Sequence, residues 1–209
     1  MNKNIIKEII LHKQKEIMQT TIVERPANFE SALNFILVGI RRAGKSYMMF
    51  QAIQQRVATG EMSIEDCLYL NFEDERLDGM QAAELGIIID CYHELFGHRK
   101  PWVYLDEIQN IEGWEKFARR LADEKYHLMI TGSNAKMLSR EMATTLGGRF
   151  IIREVFPFSY RDFLAYQNIA LTDNWQYDSQ VRLDVVRSFN DYFYNGGFAE
   201  VFPILGKRE

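Results

Sequence analysis

Gly39-Ile40-Arg41-Arg42-Ala43-Gly44-Lys45-Ser46 follows directly on the apolar run Phe35-Ile36-Leu37-Val38. Two glycines five positions apart, closed by Lys-Ser, match the pattern of a phosphate-binding loop. The chemistry asks for these residue types at this spacing. Glycines let the backbone turn tightly and bring successive N–H groups to face an anion. A helix beginning near Lys45 points the positive end of its dipole at the same spot. Lys45 supplies a mobile charge for β- and γ-phosphates, and Ser46 a hydroxyl for Mg²⁺. The whole run from Gly39 to Tyr47 is therefore the candidate nucleotide-binding segment. Arg41 and Arg42 fill its variable positions. They read as phosphate or neighbouring-subunit contacts, or as solvated or ion-paired side chains.

A phosphate loop needs an acidic partner at the end of another strand. Trp102-Val103-Tyr104-Leu105 runs into Asp106-Glu107. Asp106 is placed to hold Mg²⁺ through water, and Glu107 to orient and deprotonate an attacking water. One strand, Cys67–Phe72, lies in sequence between the loop and this pair. That order predicts the division of P-loop NTPases that has an additional strand and a catalytic glutamate, which attacks with water more often than with a substrate hydroxyl.

Other strand ends carry weaker signals. His127–Thr131 leads into Gly132-Ser133-Asn134, where Ser133 or Asn134 is a candidate γ-phosphate or water contact, or a cap for the next helix. Arg149, after Leu146-Gly147-Gly148, is a candidate cation for transition-state charge, acting in cis or across an interface. Glu73 and Asp74, after the second strand, read as steering Glu107 or as capping a turn, and the turn is the better reading.

Around these motifs short apolar runs alternate with helical patterns. Ser46 to about Thr59, Gln81 to about Phe96 and Met137–Thr145 read as helices, and Phe150–Val155 as a fifth strand. Trp114, Phe117, Ala118, Leu121 and Ala122 repeat at the spacing of an amphipathic helix. Ile5, Ile6, Ile9, Ile10, Lys13 and Ile17 form a stripe on an N-terminal helix. Ser63–Asp66 resembles a capping box. The expected fold class is α/β: a P-loop NTPase with a parallel five-stranded sheet flanked by helices and a small C-terminal helical segment. The expected domains are 1–28, an N-terminal helix and lead-in; 29–158, the nucleotide-binding core; and 159–209, a helical lid or linker. Tyr160–Ala165 and Gln180–Tyr194 are its helices. Its aromatics, Phe189, Tyr192, Phe193, Tyr194, Phe198 and Phe202, are expected to pack locally or against a missing domain. The chain stops soon after Gly196-Gly197, at Lys207-Arg208-Glu209, which suggests a fragment of a longer protein.

Composition bounds the rest. The 209 residues are 47% hydrophobic and 26% charged, ordinary for a globular chain. A net charge of −4 gives no general electrostatic footprint for nucleic acid. The two cysteines follow no metal-ligand spacing, and no segment has the apolar length of a membrane span or signal core. The expectation is a reduced, cytoplasmic, soluble chain.

The ordered set GIRRAGKS, YLNFEDERL, YLDEIQNIEGWEKFARRL, ITGSNAKMLSREMATTLGGR and EVFPFSYRDFL closely resembles a prokaryotic family of AAA-type ATPases related to the STAND group, with a DEIQ Walker B. The resemblance covers about Asn34 to Ala165. It implies ATP and Mg²⁺ at Gly39, Gly44, Lys45, Ser46 and Asp106. It implies Glu107 as catalytic acid/base, Ser133 or Asn134 as sensor, and Arg149 as a functional arginine. It also implies continuation into a C-terminal domain; self-association is the other partner expected beside nucleotide. Tyr47 departs from the small hydroxyl residue usual there, which bears on the α-phosphate contact. Three functions fit these residues: Mg²⁺-dependent ATP hydrolysis coupled to a conformational change, a slow-turnover nucleotide switch or binding module, and a small-molecule kinase.

Overall fold

The computed structural model describes residues 1–133, 144 and 146–202. Asn134, the expected helix Met137–Thr145 apart from Thr144, and the terminal Lys207-Arg208-Glu209 lie outside the described residues. Five strands form one sheet: β1 (Asn34–Val38), β2 (Cys67–Asn71), β3 (Trp102–Asp106), β4 (His127–Gly132) and β5 (Phe150–Glu154). They lie in the order β2-β3-β4-β1-β5, and every pairing is parallel. This is the α/β P-loop NTPase fold. β4 stands between β1 and β3, so the strand carrying Asp106 is separated from the strand that leads into Gly39 by one inserted strand.

The strands are apolar on both faces because both faces are covered. On one face Ile36, Leu70, Leu105 and Ile130 meet Ile6, Ile9 and Ile10 of α1 (Lys3–Gln19), Ile88 of α3 (Gly86–Phe96), and Phe117 and Leu121 of α4 (Glu115–Asp123) in a single core. Side chains alternate along a strand, so Phe35, Tyr69, Tyr104 and Thr131 point to the other face. There Phe50 of α2 (Lys45–Ala58) packs edge-on against Tyr69, with ring centroids 5.3 Å apart.

Helix α1 belongs to this core rather than standing apart as a lead-in. Gln14, not Lys13, lies on its buried stripe, and its amide donates to the Cys67 carbonyl at 2.8 Å. A carbonyl of edge strand β2 is thereby satisfied within the chain. Lys3 and Lys7 both reach Glu94 of α3 and hold its carboxyl down at about 2. The stretch expected as one helix from Gln81 opens with a separate 3₁₀ turn at Ala82–Glu84; Gly86 begins the α-helix. Asp66 accepts from both the N–H and the hydroxyl of Ser63, closing the capping box. Asp74 caps its own turn by accepting from the Arg76 N–H.

The chain divides into two compact units. The sheet and helices above form the first, which takes in Met1–Ile22, Ala27–Gly39 and Lys45–Glu154. The second comprises Val23–Pro26, Ile40–Gly44 and Val155–Glu209. It contains α5 (Tyr160–Tyr166), opened by a Ser159–Asp162 capping box, and α6 (Ser179–Asn195). Phe163 and Phe202 are its buried aromatic centre, with Tyr166 and Tyr192 around them. Of the two packings expected for Phe193 and Tyr194, the local one does not bury them: they are 70% and 82% exposed. Gly197 presses so closely on the Phe158 carbonyl that any Cβ would collide with backbone, which accounts for a glycine there.

Candidate nucleotide site

The first unit gathers five predicted residues near the carboxyl ends of β1, β3 and β4. Lys45 opens α2 and is 3% exposed. Its ammonium donates to the Gly39 carbonyl at 3.2 Å and faces the Glu107 carboxylate at 3.3 Å. Glu107 follows β3 in a left-handed conformation, φ 51° and ψ 41°. That conformation costs a non-glycine residue on the order of 1–3 kcal/mol and tends to mark a functional position. It redirects the chain as the strand ends. Glu107 Oε2 accepts from the Gln109 amide at 2.6 Å, and the same amide reaches Ser133 Oγ at 3.3 Å. Burial pushes the Glu107 carboxyl up. The Gln109 amide, the Lys45 ammonium and the Ser133 hydroxyl outweigh that, and hold it below the usual carboxylate range.

Asp106 is fully buried on the face that α2 covers. Tyr69 donates to its Oδ2 at 2.6 Å, and the Thr131 hydroxyl donates to its Oδ1. Thr131 in turn accepts from the Glu107 N–H at 2.9 Å. One hydroxyl thus ties both acids to β4. Burial, with Asp106 alongside, raises the Tyr69 phenol, so it stays a protonated donor. Sequence reasoning missed Tyr69, Thr131 and Gln109. For Tyr69 and Thr131 the available signal was a polar side chain inside an apolar strand, each on a direct neighbour of β3; Gln109 lies just past the strand, in the turn Ile108–Asn110.

The donor set is entirely oxygen, which suits Mg²⁺. Among the described residues no group of three or more His, Cys, Asp or Glu side chains surrounds a common point. Ser46 is half-buried on the first turn of α2; Tyr47 is exposed, its ring 6.0 Å from that of Phe50.

The intervening loop, Ile40–Gly44, belongs to the second unit. Arg42 and Gly44 both take positive φ, 67° and 92°, and the Ala43 N–H closes a turn onto the Ile40 carbonyl. Gly44 is there for its backbone: a Cβ would find space but not an easy φ. Ile40 and Arg41 are exposed, and Arg42 pairs with Glu200 at 3.1 Å. Arg25, which sequence reading assigned only to a break before Pro26, is the hub of this unit. Its guanidinium donates to the carbonyls of Ala43, Phe156 and Pro157, faces Asp162, and lies over the Phe158 ring. A planar fork with five donors can hold that many acceptors; a lysine cannot.

Arg149 is not brought together with these groups. It immediately precedes β5, and its carbonyl accepts from the Asn34 amide at the start of β1. At about 3.3 Å per residue, it stands roughly 15 Å along the sheet from the Val38–Gly39 end. Its guanidinium forms a two-pronged pair with Asp123 at 2.6 and 3.2 Å. Of the two placements expected for Arg149, in cis or across an interface, this position at the far end of the β1–β5 pair brings it no contact with its own chain's Gly39 or Lys45.

Comparison with known proteins agrees with the fold. A family model described as AAA domain matches residues 32–164. An uncharacterized protein of Methanocaldococcus jannaschii is 31% identical over 201 residues, covering 95% of this chain and 43% of its own length. One of Haemophilus influenzae is 34% identical over 173 residues, covering 79% of this chain and 39% of its own. The chain spans about two fifths of the length of these relatives. Among the described residues no helix is long and apolar enough to cross a membrane. With its parallel sheet, its phosphate-loop sequence and its paired acids after β3, the chain belongs to the AAA domain family of ATPase-like nucleotide-binding proteins.

Proposed function

We propose that this chain binds ATP with Mg²⁺ and hydrolyses it to ADP and phosphate, coupling the step to a conformational change. The observation that carries the reading is Glu107: a buried carboxylate in a left-handed conformation, beside Asp106 and in reach of Lys45. In this reading the backbone of Gly39–Ser46 cradles the phosphates. Lys45 turns from Glu107 to the β- and γ-phosphates, whose charge competes for it. Ser46 and Asp106 hold Mg²⁺, which when bound neutralises phosphate charge. Glu107, relieved of its cation, accepts a proton from the attacking water. Ser133 and Asn134 are candidate sensors after β4.

The test is phosphate release from ATP and Mg²⁺ with no acceptor added. Steady release above the rate without protein is expected, and it separates hydrolysis from a kinase, which stays idle without its acceptor. Nucleotide binding with no release over hours would favour the slow-turnover switch instead. The Lys45–Glu107 pair gives that alternative some support, since cation and base restrain each other until nucleotide arrives.

Arg149, placed away from its own chain's loop, fits a role across an interface with a second copy. Arg149→Ala is then expected to cut turnover about 10³-fold, the scale of an arginine finger, with ATP affinity little changed. Specific activity should also rise with protein concentration in the unaltered chain but not in the variant. Turnover independent of both would remove Arg149 from the mechanism.

A further inference from the structure

We propose that Gln109 is the second anchor of the attacking water, holding Glu107 with its amide nitrogen and the water with its amide oxygen. The inference rests on the hydrolysis reading and assigns a further residue to it. Three observations combine. Glu107 Oε2 needs a donor, and the group 2.6 Å away is the Gln109 amide, so Nε2 must face Glu107. That orientation is reinforced by the second contact of Nε2, to Ser133 Oγ at 3.3 Å. It leaves Oε1 turned away, buried and without a hydrogen-bond partner among the described residues. A buried carbonyl oxygen left without a hydrogen bond is costly, so its persistence beside a buried acid calls for a donor that arrives later.

Water is a donor of the right kind. It has two hydrogens, and hydrolysis transfers only one. As the water oxygen bonds to the γ-phosphorus, the bond from that phosphorus to the bridging oxygen breaks and ADP leaves with that oxygen. One proton passes to Glu107. The other hydrogen stays on the new phosphate oxygen, and Oε1 of Gln109 accepts from it until the product departs. Two acceptors two residues apart then fix the water's lone pair on the phosphorus, which one carboxylate alone cannot do. Gln109 is well supported for this: the 3₁₀ turn Ile108–Asn110 follows directly on the left-handed Glu107, Ile108 is fully buried, and the Asn110 amide donates to the Phe72 carbonyl.

Gln109→Met keeps the length and removes both polar atoms. Turnover is expected to fall 10- to 100-fold, with the affinity for a non-hydrolysable ATP analogue, measured by calorimetry, within threefold and the melting temperature within about 3 °C. In a Glu107→Gln background the same change is expected to remove little further activity, because the two side chains serve one water. Gln109→Met with unchanged turnover overturns the proposal while leaving hydrolysis intact. A loss of analogue affinity matching the loss of turnover also overturns it, by making Gln109 a binding or folding residue. If the unaltered chain binds the analogue but releases no phosphate, the hydrolysis reading and this inference fall together. That result is told apart from the others by the starting protein alone.

Discussion

Glu107→Gln is expected to lower phosphate release by at least 100-fold while ATP binds as tightly as before, or more tightly. The first half follows from removing a proton acceptor, which general-base catalysis values at about 10²–10⁴-fold. The second follows from this site in particular. Lys45 is divided between the Gly39 carbonyl and Glu107. An arriving phosphate must draw the ammonium off a buried carboxylate. With an amide at 107 that competition is gone, and the new side chain keeps the volume of the old. Phosphate release would be measured at saturating ATP, and affinity by titration. Unchanged release would sink Glu107 as the base. Weakened binding would show that its carboxylate supports the loop rather than restrains it.

The loop and the two acids were legible because each is a local statement: a spacing of glycines, or an apolar strand ending in carboxylates. The order of elements along the chain pointed to a sheet with an additional strand, but the strand it placed between loop and acids, β2, lies at the sheet edge, and the one that separates them in space is β4. Thr131 and Tyr69 could not be read that way. Their role comes from strand register, which sets Leu37 against Thr131 and Asn71 against Asp106, and register is fixed by packing of whole faces. Gln109 sat inside a quoted motif yet drew no role, because an amide's task depends on which acceptor lies opposite. Arg149 shows the limit of a local motif. Its residue type and neighbouring glycines suggested a phosphate contact in cis or in trans without saying which, and only the parallel pairing of β5 with β1 puts its position at the amino ends of the strands. Arg25 was hidden by sequence distance: it lies 131 residues from Phe156, whose carbonyl it holds.

Removing the charge of Lys45 is expected to weaken both nucleotide binding and the fold, and the two effects can be pulled apart. Lys45→Met keeps most of the buried stem and deletes the ammonium. A charge-assisted contact to phosphate contributes about 1.5–3 kcal/mol, so ATP affinity should fall roughly 10- to 100-fold. The fold suffers separately, since Lys45 and Glu107 have side chains only 3% and 10% exposed. Breaking a buried pair by removing one partner costs roughly 3–5 kcal/mol, because the remaining charge is stranded. Glu107 keeps the Gln109 amide, which places the loss near the lower end. For a chain of this size about 3 kcal/mol is a drop of roughly 6–12 °C in melting temperature. The double variant Lys45→Met, Glu107→Gln strands no charge. Its melting temperature is expected to return to within about 3 °C of the starting protein, while ATP affinity stays as low as in Lys45→Met. Thermal unfolding and calorimetric titration on the four proteins complete the cycle. Additive losses in melting temperature would mean that the 3.3 Å pair is not an energetic unit. Recovery of binding along with stability would mean that Lys45 serves the fold and not the phosphate.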